Sequence, residues 1–483
     1  MAAAIPMEDR PISKKNVSGL GNFFGIYGGE HIAATEFVIG ATLVTLGVKA
    51  TDIKFVLVVI VLGIIVTLVA ANGFEAVAKF SSVCVPWMIV VFMAGFFVVI
   101  PQLIRATGAA NLHSFGDFMN LMNTSVWSGA VIKGGQKLTM FHVAGFAWMC
   151  NLAYHGGLND MALFRYAKSP KYGFVTSYGM FIGHFFAWGS AGIMGATASI
   201  LLNKSLLILD SGAITSAVLG ATGLLAVIIA GWTTANPSIY RASFAYETIF
   251  TKISPKKVTY GVGAVMTLVG CFPITMNIMT IVNIIVLVVP AIGAIVFAEH
   301  WIIPKLGGTR CWASYKGLKI NYAGLIAWLL SLAFVSYMTI TGTIHSYFLF
   351  LPTYLIAMIA YVILALNMGA RDDYSAQVEE EKKVMEELEK IQEEEDEEQV
   401  NYVSKNPGLQ KLAARASYVV LAAFAIFTIS VFLGKASVLQ WKTYSFPITI
   451  VYFVLGGLAT YLKYGYAEKE GNVTGAEDLA NDL

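Results

Sequence analysis

Three stretches of this sequence place ionisable or hydrogen-bonding side chains inside long apolar runs, where such groups are expensive and usually line a polar pathway. The first, GNFFGIYGGEHIAATEFVIG, carries Glu30, His31 and Glu36 directly after Gly28 and Gly29. The glycine pair predicts a helix break, and an unwound turn frees backbone carbonyls that can coordinate small cations. Glu30 and Glu36 are six residues apart, about 600° of helical rotation, so an unbroken helix would not present them as a paired acid and base. The second stretch, TMFHVAGFAWMCNLAYHGGLND, sets Trp148, Asn151 and His155 at i, i+3 and i+7 on one helix face. A stacking plane, an amide and a titratable ring together suit a flat polar heterocycle. A histidine in a membrane core also commonly serves as a satisfied structural group, and His142 and His155 are open to both readings. The run His155-Gly156-Gly157 is a second expected break. In the third stretch, IIAGWTTANPSIYRASFAYE, Thr233 and Thr234 bring hydroxyls beside Ala230, whose carbonyl lies one turn back. Pro237 removes a backbone donor and opens the ladder near Asn236. Threonines in membrane helices usually bond back to their own helix, so these two do not define a site on their own.

Other chemistries leave no trace. There is no HExxH, no Walker A, no GxGxxG after a strand and no GxSxG, and the seven histidines are scattered. Nothing points to ATP hydrolysis, a cofactor or enzymatic activity, so uphill work would have to draw on an ion gradient. Cys84, Cys150, Cys271 and Cys311 have neither the pairing of a disulfide framework nor the spacing of a zinc site.

The elements that must position these residues follow from composition. Of 483 residues, 57% are apolar and 13% charged, with mean hydropathy +0.68. A soluble chain could not hide that much apolar surface behind so few charges. This excludes a soluble enzyme, a disordered scaffold, a secreted disulfide protein and a nucleic-acid binder. It leaves a polytopic helical membrane protein in contact with the lipid bilayer. Twelve spans are predicted, near 20–48, 53–72, 82–103, 138–158, 173–201, 213–235, 258–273, 277–303, 322–341, 347–367, 414–434 and 444–464. They are long and continuous, unlike the short alternating strands of a barrel. The segment before the first span has neither the apolar stretch nor the cleavage site of a signal peptide.

Lysine and arginine gather at the even-numbered boundaries, as in Lys14–Lys15, Lys79, Arg165–Lys171, Arg241 with Lys252–Lys257, Lys305–Lys319 and Lys463, the one basic exception being the loop 104–138 with Arg105, Lys133 and Lys137. This predicts both termini on the cytoplasmic side of a plasma membrane. Residues 371–400 carry fourteen acidic and four basic side chains, a net −10 that leaves +12 elsewhere and conceals both in an overall +2. Val378, Met385, Leu388 and Ile391 there would form a thin apolar stripe on a solvated helix, which could separate subdomains or act as a docking arm. The expected organisation is a cytoplasmic N-terminus (1–19), a transporter-like core (20–370), the acidic arm (371–405), two additional spans (406–464) and a cytoplasmic tail (465–483).

Four segments together resemble the nucleobase–cation symporter family of cytosine, purine, allantoin and hydantoin permeases. They are the first span with its small-residue break and Leu46-Gly47; Asp160 through Arg165-Tyr166-Ala167-Lys168; Trp232-Thr233-Thr234; and Val289-Pro290-Ala291-Ile292-Gly293-Ala294 followed by Ala298-Glu299. The resemblance covers about residues 10–370. It implies a LeuT-type fold of two inverted five-helix repeats with a central site beside the broken first and sixth helices. It implies a sodium site built from first-helix carbonyls near Ile32, the Ala230 carbonyl and the Thr233 and Thr234 hydroxyls. Substrate contacts would come from Trp148, Asn151 and Asn236, with Glu30, His31 and His155 as further polar groups facing the substrate.

The chain departs from that pattern. Ala235 stands where the family often has Asn after the threonine pair, and the Asp160-to-Arg165 gap is longer by two. The segment Gly73-Phe74-Glu75-Ala76-Val77, which resembles the start of the family's fifth helix, follows Val48 after only 24 residues. The family's second and third helices therefore have no counterpart here, and the first repeat is shortened. The leading expectation is a secondary active transporter that takes up a nucleobase or related N-heterocycle with Na+ or H+, with no obligate protein partner. The alternatives are a transport-inactive sensing or anchoring protein and, more remotely, an intramembrane metalloenzyme using Glu30, His31, His142 and His155.

Overall fold

The protein was described from a computed structural model, which covers residues 12, 17–33, 53–129, 137–205, 209, 211–272, 278–397, 401–402, 404, 406–464, 467–469 and 472–474. The described residues are helical apart from three strands of two or three residues at 401–402, 467–469 and 472–474. Among the described residues each of the twelve predicted spans overlaps a helix; residues 34–48 of the first lie outside the described residues. We label the principal helices α1 (Leu20–Ala33), α2 (Ile53–Ala71), α3 (Gly73–Thr107), α4 (Phe115–Ser125), α5 (Met140–His155), α6 (Pro170–Leu202) and α7 (Ser211–Glu247). The remainder are α8 (Pro255–Gly270), α9 (Ile278–Phe297), α10 (Tyr322–Thr341), α11 (Phe350–Met368), α12 (Ser375–Glu397), α13 (Pro407–Phe432) and α14 (Val438–Tyr464). Among the described residues seven helices are long and apolar enough to cross a bilayer: α3, α6, α7, α10, α11, α13 and α14. The chain is an all-α polytopic membrane protein.

The chain divides into two compact units. One contains residues 131–166 and 277–393, hence α5 and α9 to α12; the other contains 14–130, 167–276 and 394–483, hence the remaining helices. In the second unit the core runs through α3, α6, α7, α13 and α14, with Trp87, Met88, Leu103, Ile193, Val227, Phe424 and Trp441 at its centre. Apolar packing is nondirectional, and lipid competes for it as well as a neighbouring helix does. Register therefore rests on small residues and polar bonds. The α13–α14 hairpin is tied in by buried bonds: Trp87 Nε1 donates to Thr449 Oγ1 at 2.9 Å, and Tyr452 donates to the Val83 carbonyl at 2.7 Å. Thr222 and Ser445 share a further bond at 2.7 Å. Between α2 and α8, Thr67 and Thr267 each bond back to their own helix at Gly63 and Gly263, and each lies over the other helix's glycine. A methyl group added to either glycine would come within 2.2 Å of the facing hydroxyl.

One expectation about a break is corrected. α1 runs unbroken through Gly28 and Gly29. These glycines serve close approach instead: a Cβ on Gly28 would lie 2.8 Å from Val85, and one on Gly29 would lie 3.1 Å from both Thr233 and Val85. α7 also continues helically across Pro237; its one residue outside helical geometry is Gly220, at φ 64° and ψ −146°. That backbone suits glycine alone. The carbonyls it releases are capped from other helices, Val218 by Gln102 Nε2 at 2.9 Å and Ala217 by Lys442 Nζ at 2.6 Å.

In the other unit, α5 stops at His155 and Gly156-Gly157 open a turn. Gly293 of α9 is pressed on that turn so closely that a Cβ would stand 1.7 Å from the Gly156 carbonyl oxygen. Beyond α9, buried Glu299 accepts from the Cys311 amide at 2.7 Å and from Tyr361, whose hydroxyl also receives Asn321 Nδ2 at 3.1 Å and Trp312 Nε1 at 3.3 Å. This satisfied network holds the 303–321 connection in place. Of the expected stripe on α12, only Leu388 is buried; Val378 and Ile391 are exposed. The start of α12 is secured by Tyr315, which donates to the Glu381 carboxylate, and by a Lys316–Asp372 ion pair at 3.2 Å.

Candidate functional site

The densest convergence of site-type residues lies where α1 crosses α7. Residues 25–29 of α1 are all buried, packed against α3 and α7 through the glycine faces. Closeness of the two backbones lets side chains of one helix reach carbonyls of the other. Thr233 Oγ1 donates to the Ala230 carbonyl at 3.0 Å and to the Gly29 carbonyl at 3.2 Å. Thr234 Oγ1 lies 3.2 Å from the Ala230 carbonyl and 3.3 Å from the Glu30 carbonyl. Two hydroxyls and three carbonyls, all neutral, thus form one cluster joined at the Ala230 carbonyl. An ion holding oxygens at about 2.4 Å, as Ca2+ does and as the similarly sized Na+ does, sets neighbouring ligands about 3.4 Å apart. The spacing of the cradle is close to that. Met88 Sδ, 3.9 Å from Thr233 Oγ1, and Val85 close the apolar side.

One turn on, Pro237 leaves the Thr233 carbonyl without its intrahelical amide, and Ser238 Oγ donates to the Thr234 carbonyl at 2.8 Å. Asn236 is wholly buried, and neither its Oδ1 nor its Nδ2 has a hydrogen-bond partner among the described residues. Arg241 grips the Glu30 carboxylate through both terminal nitrogens. Spacing gave no hint of this pair, whose members lie 211 residues apart. Trp232, beside the threonines, turns to a separate groove of about 540 Å³ that it lines with Phe80, Val83, Phe453 and Tyr461. Its ring lies 4.7 Å from that of Phe80.

Of the expected site residues, Glu30, Ala230, Thr233, Thr234 and Asn236 therefore share the α1–α7 crossing. His31 and Ile32 lie on α1, but their side chains fall outside the described residues, as does Glu36 altogether. The threonine hydroxyls meet the carbonyls of Gly29 and Glu30, three and two residues before Ile32, near which the first-helix carbonyls were expected.

Trp148, Asn151 and His155 belong to the other unit. All three positions lie on α5. Trp148 is 63% exposed; the Asn151 side chain is outside the described residues. His155 Nδ1 pairs with the Asp160 carboxylate across the Gly156-Gly157 turn, with both side chains largely buried. His142 lies at the start of α5, 2.8 Å from Thr139 Oγ1, with its ring 4.8 Å from that of His345. Among the described residues no three His, Cys, Asp or Glu side chains come together as a metal site.

No protein-family model matches the chain, and no curated protein matches it. A solved structure of Mhp1, a nucleobase-cation-symport-1 family transporter in a closed conformation with bromovinylhydantoin bound, is similar over 74% of this chain and 95% of that one. The identity is 13% and the TM-score 0.39.

Proposed function

We propose that this protein is a secondary active transporter of the LeuT type that couples Na+ to the uptake of a nucleobase or related N-heterocycle across the plasma membrane, with both termini cytoplasmic. The observation that carries the reading is the cradle of Thr233, Thr234 and the Gly29, Glu30 and Ala230 carbonyls. Its oxygens are neutral, closely spaced and backed by apolar side chains. For an ion to enter, the two threonine hydroxyls must rotate so that their oxygens, not their protons, face it. The carbonyls then exchange a hydroxyl donor for a cation, which replaces part of the lost hydration shell. Because the cradle is shared by two helices, an ion there draws α1 and α7 together.

Asn236 supports the substrate half of the proposal. A buried amide with both polar atoms unspent can meet the donor–acceptor edge of a heterocycle, and a site built on hydrogen bonds discriminates strongly against rings that lack them.

The test is uptake of a labelled panel of pyrimidines, purines, allantoin and hydantoins into proteoliposomes, with and without a sodium gradient. Thr234→Ala is expected to abolish sodium dependence; if that dependence survives, the cation-site assignment is wrong. Uptake indifferent to sodium but steep in pH would transfer the coupling to protons. The alternative reading is a transport-inactive sensor or anchor with α12 as its output, which the docking of α12 through Tyr315 and Lys316 favours. Accumulation of any heterocycle in the liposomes excludes that alternative.

A further inference from the structure

An ion pair stands beside the cradle that the cradle's own chemistry does not require. Arg241 Nη1 donates to Glu30 Oε2 at 3.4 Å, and Nη2 donates to Glu30 Oε1. The side chains are 8% and 11% exposed. Withdrawing two charges from water is costly, and an apolar pair of similar volume often serves stability as well or better. Stability therefore does not explain the pair; its placement does.

Thr234 and Arg241 are seven residues apart on α7, so they share the face turned to α1. Thr234 meets the Glu30 carbonyl at 3.3 Å, while Arg241 holds the carboxylate of the same residue. One residue thus gives its backbone oxygen to the cradle and its side-chain charge to the arginine. The cradle consists of two hydroxyls and three carbonyls and has no net charge. An ion in it responds to whatever net charge stands alongside, through a medium far less screening than water. A lone arginine there would repel the ion. A lone carboxylate would hold it too firmly for release to the cytoplasm.

Resting on the cation-site reading above, we infer that the Glu30–Arg241 pair trims the charge of that site. Glu30 and Arg241 act as positioning residues whose side chains cancel, so that affinity is left to the neutral oxygens. This separates the Glu30 carboxylate from the substrate-binding role expected of it and gives Arg241 a role that nothing in its spacing indicated.

The inference predicts effects of opposite sign. Sodium binding to the purified full-length chain would be measured by equilibrium binding of radioactive sodium and by the sodium-dependent rise in unfolding temperature, at constant ionic strength with choline as the replacement. Glu30→Gln adds one positive charge to the neighbourhood and is expected to weaken sodium binding about tenfold. Arg241→Gln subtracts one and is expected to tighten it severalfold. The double variant restores neutrality and should return within about threefold of wild type. A merely structural pair would weaken binding in both single variants and in the double, in step with lost thermal stability; that pattern overturns the inference. So does a Glu30→Gln variant that binds like wild type. Should Glu30→Gln not yield folded protein, the direction of change in Arg241→Gln decides alone. A wild type that shows no sodium binding at all overturns the cation-site reading, and the inference falls with it.

Discussion

The Asn236 amide is wholly buried with no partner among the described residues. An unsatisfied buried polar group costs about 1–3 kcal/mol. Asn236→Leu is therefore expected to raise the unfolding temperature while removing heterocycle uptake, checked by a melt and an uptake assay on one preparation. A variant that melts lower and transports normally would show that the amide is structural. Gly293 makes the reverse case. A Cβ at that position would stand 1.7 Å from the Gly156 carbonyl oxygen, which is backbone and cannot rotate away. Gly293→Ala should cost about 3 kcal/mol or more, at the upper end of overpacking penalties, read as lost expression or a lowered melt. At this scale, residue types pointed to the threonine pair and to Asn236, because hydroxyls and an amide in an apolar run are conspicuous. Arg241 reads in the sequence as a positive-inside residue after the sixth span, and the structure corrects this: it lies within α7, with its charge spent on Glu30.

Helices α7 and α12 show what neighbours add to an element. The break at Gly220 leaves carbonyls that Gln102 and Lys442 satisfy. A hydrogen bond to a charged group contributes about 1.5–3 kcal/mol, so Lys442→Met is expected to lower unfolding stability by about 2 kcal/mol, measured in mild detergent. The glycines of α1 invited the reading of a break, since glycine permits one as readily as it permits close approach. Only the presence of Val85 and Thr233 across the contact decides between the two. At the base of α12, burial and then the hydrogen bond to Glu381 push the Tyr315 hydroxyl above the ordinary phenol range. A group whose folded pKa is raised holds its contact below the unfolded value and loses it as pH climbs through the folded one. The Tyr315–Glu381 contact should thus persist across physiological pH and open only in strong alkali. Tyr315→Phe should open it at neutral pH, seen as faster hydrogen exchange over residues 375–385; unchanged exchange would show that Lys316–Asp372 suffices.

For the molecule, net charge was the most misleading number and hydropathy the most informative. The C-terminal hairpin packs into the apolar core of its unit: Phe424, Val431, Trp441 and Tyr452 belong to the same buried cluster as α3 and α7. Ending the chain after residue 405 exposes that cluster and strands the buried Trp87 Nε1 donor and the Thr222 hydroxyl. Such a truncation is expected to aggregate and not to leave a smaller working transporter, as size-exclusion chromatography of the detergent-solubilised protein would show.

Sequence alone determined that this is a helical membrane protein and which apolar stretches carry polar groups. Those properties follow from composition and local hydrophobicity, which act on each segment independently. The tertiary structure decided which of those groups meet. It brought Gly29 and Glu30 to Thr233 and Thr234, set Arg241 on Glu30 and left Asn236 unspent. Those outcomes depend on how closely two helices approach, and glycine contacts and cross-helix hydrogen bonds between residues some 200 positions apart settle that distance.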